Sequence, residues 1–232
     1  MDLIWQGIIQ AFHLLLTADP EVVEIVLATL KVSGTATIIS VILGVPLGTV
    51  IALNKFPGRK FVLSLVNTGM GMPPVVVGLW VSIFLWRSGP FGFLNIIYTQ
   101  TAMIIAQAII AAPMVVGLTA AAIEQIDSKL RLQIKALGAN GFQYIWYLLK
   151  EMRFSLFAAI IAGFGAVISE VGASMMVGGN IKGMTRVLTT ATTLEVSKGD
   201  FDIAIALSII LTLLSYGVTF WLTNLQQKQQ GV

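Results

Sequence analysis

The sequence has no cysteine in its 232 residues. This removes both disulfides and thiolate metal sites from consideration. There is one histidine, His13, so neither a metal cluster nor a nucleophile with its base can be assembled in the usual ways. No Gly-x4-Gly-Lys-Ser/Thr loop occurs, so the chain is not itself a phosphate-loop ATPase. Charged residues are only 11% of the total, roughly half the ~25% of a soluble domain. The formal charge of +3 is no nucleic-acid signal, because the basic residues fall in loops between apolar runs. Met1-Asp-Leu-Ile-Trp5 lacks a basic start, and no cleavable signal peptide is expected.

What remains is apolar. Hydrophobic residues are 56% and the mean hydropathy is +0.89, which places the chain in a bilayer as one domain with several spans. Residues 2–17 read as an amphipathic surface helix. Asp2, Gln6, Gln10, His13 and Thr17 share a sector of about 80° at helical spacing, and Trp5 suits headgroup depth. His13 is read as solvated. Asp19-Pro20-Glu21 is a helix start with cap, proline and acid in order.

Five spans follow, at about 20–53, 61–86, 98–124, 154–176 and 201–225. In the first, Gly44-Val-Pro-Leu-Gly48 predicts a kink and a close helix contact, and Lys31 is placed to snorkel. In the second, Asn67-Thr-Gly-Met-Gly-Met-Pro-Pro74 breaks the helix at membrane depth, as a packing kink or beside a wet path. The third carries Gln107 and Pro113. The fourth aligns Ala158, Ala162, Gly165, Ser169, Gly172 and Met176, which reads as one packing helix near the centre of an assembly.

Glu170 lies in that span. It fits either a structural tie, to a backbone group or to a base such as Lys31, or control of a pore. The tie is the favoured reading. Gly178-Gly-Asn-Ile-Lys-Gly183 opens the last long loop, which holds a short helix near 186–196. The expected segments are therefore an interfacial helix at 1–19, a transmembrane domain at 20–226 and a polar tail at 227–232.

One stretch between spans turns amphipathic and basic, Asp127 to Arg153. Ile126, Leu130, Ile134 and Leu137 recur at helical spacing beside Lys129, Arg131 and Lys135. Gly138 then reads as a left-handed stop and Asn140 as the cap of a second helix striped by Phe142, Ile145, Trp146 and Leu149. The pair offers a greasy edge with a basic rim. Nine basic residues lie on this side of the five spans and four on the other, namely Arg87, Lys182, Arg186 and Lys198. The positive-inside rule puts the nine in the cytoplasm, the N-terminus outside and the C-terminus inside.

Ala136-Leu-Gly-Ala-Asn140 with its aromatic amphipathic turn resembles the coupling motif of bacterial ATP-binding-cassette importer permeases. Leu132-Gln133-Ile134 stands where Glu-Ala-Ala usually opens that motif, and Glu151 where a proline usually follows. Met72-Pro-Pro-Val-Val-Val-Gly78, Arg87-Ser-Gly-Pro90, Ala102-Met-Ile-Ile-Ala-Gln107, Ser169-Glu-Val-Gly-Ala173 and Gly178-Gly-Asn-Ile-Lys182 are similar to the tungstate-type members of the molybdate/sulfate/tungstate group. The resemblance implies an all-α integral membrane fold of type I: five transmembrane helices, an N-terminal amphipathic helix and a cytoplasmic coupling helix pair.

It also implies a multi-pass inner-membrane permease that works with a second copy of itself. Its further partners would be two ATPase subunits, which bind the ATP, and an extracytoplasmic oxyanion-binding protein. No cofactor of its own, no catalytic residue and no metal ligand is expected. Ala136, Leu137, Gly138, Ala139, Asn140 and Phe142 are the expected ATPase contacts. Pro73, Pro74, Glu170, Gly178, Gly179 and Asn180 are the candidates for pore and gate, and the four outer bases can steer a dianion. Tungstate is the expected cargo, with molybdate or sulfate as alternatives. An ATP-independent transporter would cluster ionisable groups at mid-membrane, where Glu170 stands almost alone.

Overall fold

The computed structural model describes residues 2–228; Met1 and the 229–232 portion of the expected polar tail lie outside the described residues. The helices are α1 (Asp2–Leu16), α2 (Pro20–Leu53), α3 (Arg59–Met70), α4 (Pro74–Leu85), α5 (Gln100–Glu124) and α6 (Ser128–Ala136). They continue with α7 (Gly141–Glu151), α8 (Arg153–Ile168), α9 (Gly172–Gly178), α10 (Leu188–Lys198) and α11 (Phe201–Lys228). Three of them, α2, α5 and α11, are each long and apolar enough to cross a membrane.

The packing of α2 on α5 sets the topology. Both helices run the same way. Ala28 and Val32 cluster with Ala102 and Ala106 near their starts, and Ser40 Oγ donates to Ala108 O at 3.1 Å midway. Near their ends, a Cβ on Gly44 would lie 2.8 Å from Val115 Cγ1, and one on Gly48 would lie 2.6 Å from Val116 O. Only glycine permits this approach, which is the small-residue contact expected of Gly44 and Gly48. α2 is helical straight through Pro46.

Two parallel neighbours require a return crossing between them, and α3 with α4 provides it. At one end Arg59 pairs with Glu124 and donates from Nε to Ile51 O at 2.8 Å. Midway Gly69 packs on Pro113, and α4 ends with Leu85 beside the cluster of Ala28 and Ala102. The crossing is broken at Gly71–Pro73, where the axes bend by 102°. Pro73 and Pro74 open the second half-helix, as proline at a first turn does.

The fourth crossing runs antiparallel to α5 and differs from expectation. It is not one helix. α8 stops at Ile168 and α9 restarts at Gly172. The cause is Glu170, only 8% exposed, whose Oε1 accepts from Ala173 N at 2.8 Å. The carboxylate caps the restarted helix, and Thr189 Oγ1 donates to the freed Glu170 O at 3.0 Å. Lys31 is exposed and is not the partner. The buried small residues of α8 are Ala159 and Gly163, one position off the expected stripe; Ala158 and Ser169 are exposed, and Gly165 faces open space.

α9 continues alongside α5, with Gln107 Nε2 donating to Ser174 Oγ at 3.1 Å. α11 then returns, and Gln226 Nε2 donates to Phe154 O at 2.8 Å, joining its end to the start of α8. The polar segment read as beginning at 227 is helical as far as Lys228. α1 lays Gly7 and Ala11 against α11, where a Cβ on Gly7 would lie 2.5 Å from Ile205 Cγ2. Gln6, His13 and Thr17 are exposed, and Trp5, Ile9, Phe12 and Leu16 form a separate exposed apolar face.

Two stability measurements check this packing. Gly48→Leu should lower thermal stability in detergent by about 1–3 kcal/mol through overpacking, while Gly217→Leu, at a glycine with open space around it, should not. Glu170→Ala should cost about 1–3 kcal/mol by orphaning a buried N–H. Glu170→Gln keeps an acceptor for Ala173 N and should melt near the parent; equal losses in the two would show that the cap is not what matters.

Candidate functional site

The amphipathic connector folds as a knuckle of two helices. Asp127 caps α6 by accepting from Lys129 N at 2.9 Å. Gly138 takes φ +80°, a left-handed conformation that ends the helix at little cost for glycine alone. Asn140 and Gln143 then form a reciprocal capping box, with both hydrogen bonds at 2.9 Å. Lys135 Nζ lies 5.1 Å from the Tyr144 ring centre and ties the two arms together.

The knuckle is fastened to the spans on one side and bare on the other. Leu148 is fully buried, and Leu149 packs with Met152, Ala122 and Ile123. Arg131 Nη2 donates to Ile123 O. On the free side Leu137 is 86% exposed, Phe142 80% and Trp146 61%. A notch of about 480 Å³ between the arms is lined by Ile134, Leu137, Gly138, Ala139, Gln143 and Tyr147. Ala136 and Asn140 are exposed beside it, so all six expected contact residues gather at one bend. Bare aromatics in a rigid frame are what a partner's groove would bury. Leu148 escaped the sequence reading because its neighbour Leu149 fits the periodic stripe as well.

The pore and gate candidates divide into two groups. Pro73 and Pro74 start α4 beside the break at Glu170: a Cβ on Gly172 would lie 2.5 Å from Val75 Cγ2 and 3.5 Å from Glu170 Oε1. The interruptions of two different crossings therefore sit side by side. Gly178, Gly179 and Asn180 lie at the far end of α9, on the order of 10 Å away by helical rise. There Tyr98 N donates to Val177 O at 2.9 Å, and Gly178 packs on Met103. Gly179 and Asn180 take φ +70° and +51°. Thr185 Oγ1, unnoticed in the sequence, stitches this turn by donating to Gly178 O at 2.6 Å and accepting from Ile181 N at 2.9 Å.

The four bases expected on the outer side are mostly paired. Lys182 Nζ lies 2.6 Å and Arg186 Nη1 3.4 Å from the Glu21 carboxylate, and Lys198 Nζ lies 2.8 Å from Glu195 Oε1. These pairs mute the steering charge expected of three of the four. Arg87 is exposed.

Comparison with known proteins fits this geometry. A tungstate uptake system permease protein TupB of Peptoclostridium acidaminophilum is 39% identical over 98% of this chain and 100% of its own length. A protein of the same description from Campylobacter jejuni subsp. jejuni is 34% identical over 95% of this chain and 92% of its own. A molybdenum transport system permease protein ModB of Escherichia coli K12 matches at 25%, over 94% of this chain and all of its own length. Among solved structures, inward-facing MetNI methionine ABC transporter superposes with a TM-score of 0.72 at 20% identity, over 90% of this chain and 95% of that one. Residues 44–231 match the family described as binding-protein-dependent transport system inner membrane component. The chain, a multi-pass helical membrane protein, belongs to that family of transport components.

Proposed function

We propose that the chain is the membrane subunit of an ATP-driven importer that passes tungstate from an extracytoplasmic binding protein to the cytoplasm. It works as two copies with two separate ATPase subunits. The observation that carries this reading is the knuckle of α6 and α7, rigidly rooted in the spans and offering bare Leu137, Phe142 and Trp146. The basic residues concentrate on the knuckle's side of the membrane, which supports a cytoplasmic knuckle, an outer N-terminus and an inner C-terminus. The 39% identity to a tungstate permease, against 25% to a molybdenum permease, favours tungstate among the oxyanions. Exposed Ala158 and half-buried Gly165 on α8, with exposed Ser169 at its end, supply a close-packing edge for the second copy.

The mechanism follows from rigidity. ATP binding draws the ATPase subunits together and carries the two knuckles with them. Each knuckle moves its spans as a body through Leu148, Met152 and Arg131. The paired breaks at Gly71–Pro73 and Ser169–Val171 are where the crossings can flex without disrupting a continuous helix. Hydrolysis then resets the pair.

Replacing Gly138 tests the coupling. A β-branched residue at φ +80° is strained by about 1–2 kcal/mol, so Gly138→Val should distort the bend without unfolding spans it does not touch. In proteoliposomes holding the whole complex, both tungstate uptake and its stimulation of ATP hydrolysis should fall by about tenfold or more. Uptake and stimulation equal to the parent would defeat the proposal that the knuckle transmits the stroke. Tungstate uptake resisting excess molybdate and sulfate is the result expected for cargo.

A further inference from the structure

We infer that α3 lines the cytoplasm-side half of the path, and that Lys60, Ser64, Asn67 and Thr68 form an exit station for a tetrahedral oxyanion. This rests on the permease reading above. α3 differs from the other membrane helices. Its twelve residues include no buried one, although it lies in a crossing. At 100° per residue Lys60, Ser64, Asn67 and Thr68 share a sector of about 100°. Val66, Gly69 and Met70 face the other way, onto Gly117 and Pro113 of α5. Phe61 and Leu65 form a third face, exposed and apolar, suited to lipid or to a second copy. The polar sector borders a shallow, widely open depression lined by the same four polar residues and Leu63.

Several hydroxyls in the other crossings are satisfied at home, although Ser82 Oγ and Thr119 Oγ1 are buried without a hydrogen-bond partner among the described residues. Thr29, Thr37, Ser40, Thr49 and Ser208 each donate to the carbonyl four residues back, at 2.7–2.8 Å. Ser64, Asn67 and Thr68 make no side-chain hydrogen bond among the described residues, and all three are exposed on the single chain. Leaving such donors free in hydrocarbon is unfavourable, so they face water or a polar solute.

Their chemistry selects the solute. The sector carries an ammonium, two hydroxyls and an amide and no carboxylate, whereas the neighbouring Arg59 is taken up by Glu124. Donors around one positive charge suit an anion with several equivalent acceptor oxygens. Two copies facing across an axis would present two ammonium groups to a dianion. The sector also leads from the break at Gly71–Pro73 down to the level of Glu124, the inner half of the crossing.

The absence of native cysteine makes the test direct. Single variants Ser64→Cys, Asn67→Cys and Thr68→Cys, with Phe61→Cys and Leu65→Cys as controls, are labelled in the nucleotide-free full complex with anionic or cationic methanethiosulfonates. Positions 64, 67 and 68 should react at least about tenfold faster than 61 and 65, as water-facing sites do. Tungstate should slow the anionic reagent at 64. Adding Lys60→Gln should cut the anionic-to-cationic rate ratio at 64 by about three- to tenfold, and Lys60→Arg should preserve it. Uptake by the unaltered complex, measured alongside, tests the function separately. Normal uptake with 64, 67 and 68 as slow as 65 means a dry packing face and overturns the inference alone. A ratio indifferent to Lys60→Gln overturns the anion station. No uptake of tungstate at all overturns the function, and the cargo assigned to the station with it.

Discussion

Two neighbouring helices that run the same way cannot be joined by a short turn, and this constraint organises the molecule. α2 and α5 lie parallel, and they pack closely because Gly44 and Gly48 let Val115, Val116 and Thr119 come within side-chain contact of the α2 backbone. In lipid there is little hydrophobic force between spans, so close van der Waals approach and interhelical bonds such as Ser40 to Ala108 O hold them. With that pair in place, the chain must recross between residues 54 and 99. It must cross again after α5 if α11 is to end beside the start of α8, as the bond from Gln226 to Phe154 O requires. Five crossings, and a knuckle on the side where α2 and α5 end, follow from one packing preference.

The recrossings are the two that are broken. A helix interrupted in hydrocarbon exposes backbone groups that water does not reach, and each must find a partner inside the protein. The two breaks solve this differently. At Gly71–Pro73 the chain uses prolines that lack the N–H, and short turns such as Gly71 N to Thr68 O. At Ser169–Val171 it uses side chains, with Glu170 accepting from Ala173 N and Thr189 donating to Glu170 O. The second solution places an acid in the membrane for a structural reason, and it ties the break to α10. α10 is itself pinned to α2 by Leu188 N donating to Thr29 Oγ1 at 2.9 Å. α10, the break and the first crossing thus form one hydrogen-bonded chain.

Legibility followed how local each signal was. Asp19-Pro20-Glu21 marked the start of α2 to the residue, since Asp19 Oδ1 does accept from Glu21 N and Val22 N. Gly138 and Asn140 marked the bend of the knuckle, because a left-handed glycine and an Asx cap act within three residues. Pro73-Pro74 announced its break by missing donors. The Glu170 break was silent: small residues continue in helical register through Ser169 and Gly172, and the cap is visible only once the backbone has turned. Within the single chain α8 buries Ala159 and Gly163, one position off the expected stripe, because Ala158 and Ala159, or Ala162 and Gly163, serve a periodic pattern equally well. The partners of Lys182 and Arg186 lie 161 and 165 residues away at Glu21, beyond any local pattern.

The proposed coupling role of the knuckle rests on the same distinction. A flexible loop of exposed aromatics would bind a partner and then yield. Here the exposed residues Leu137, Phe142 and Trp146 stand on a bend whose every turn is fixed: Asp127 at one cap, the Asn140–Gln143 box at the other, and Lys135 on Tyr144 between them. The far side is set into the spans by the fully buried Leu148 and by Arg131 on Ile123 O. Ile123 belongs to α5, the helix locked to α2. In the proposed stroke, a displacement of the knuckle is passed to α5 through these contacts and from α5 to α2, and the broken crossings packed on that pair accommodate the change.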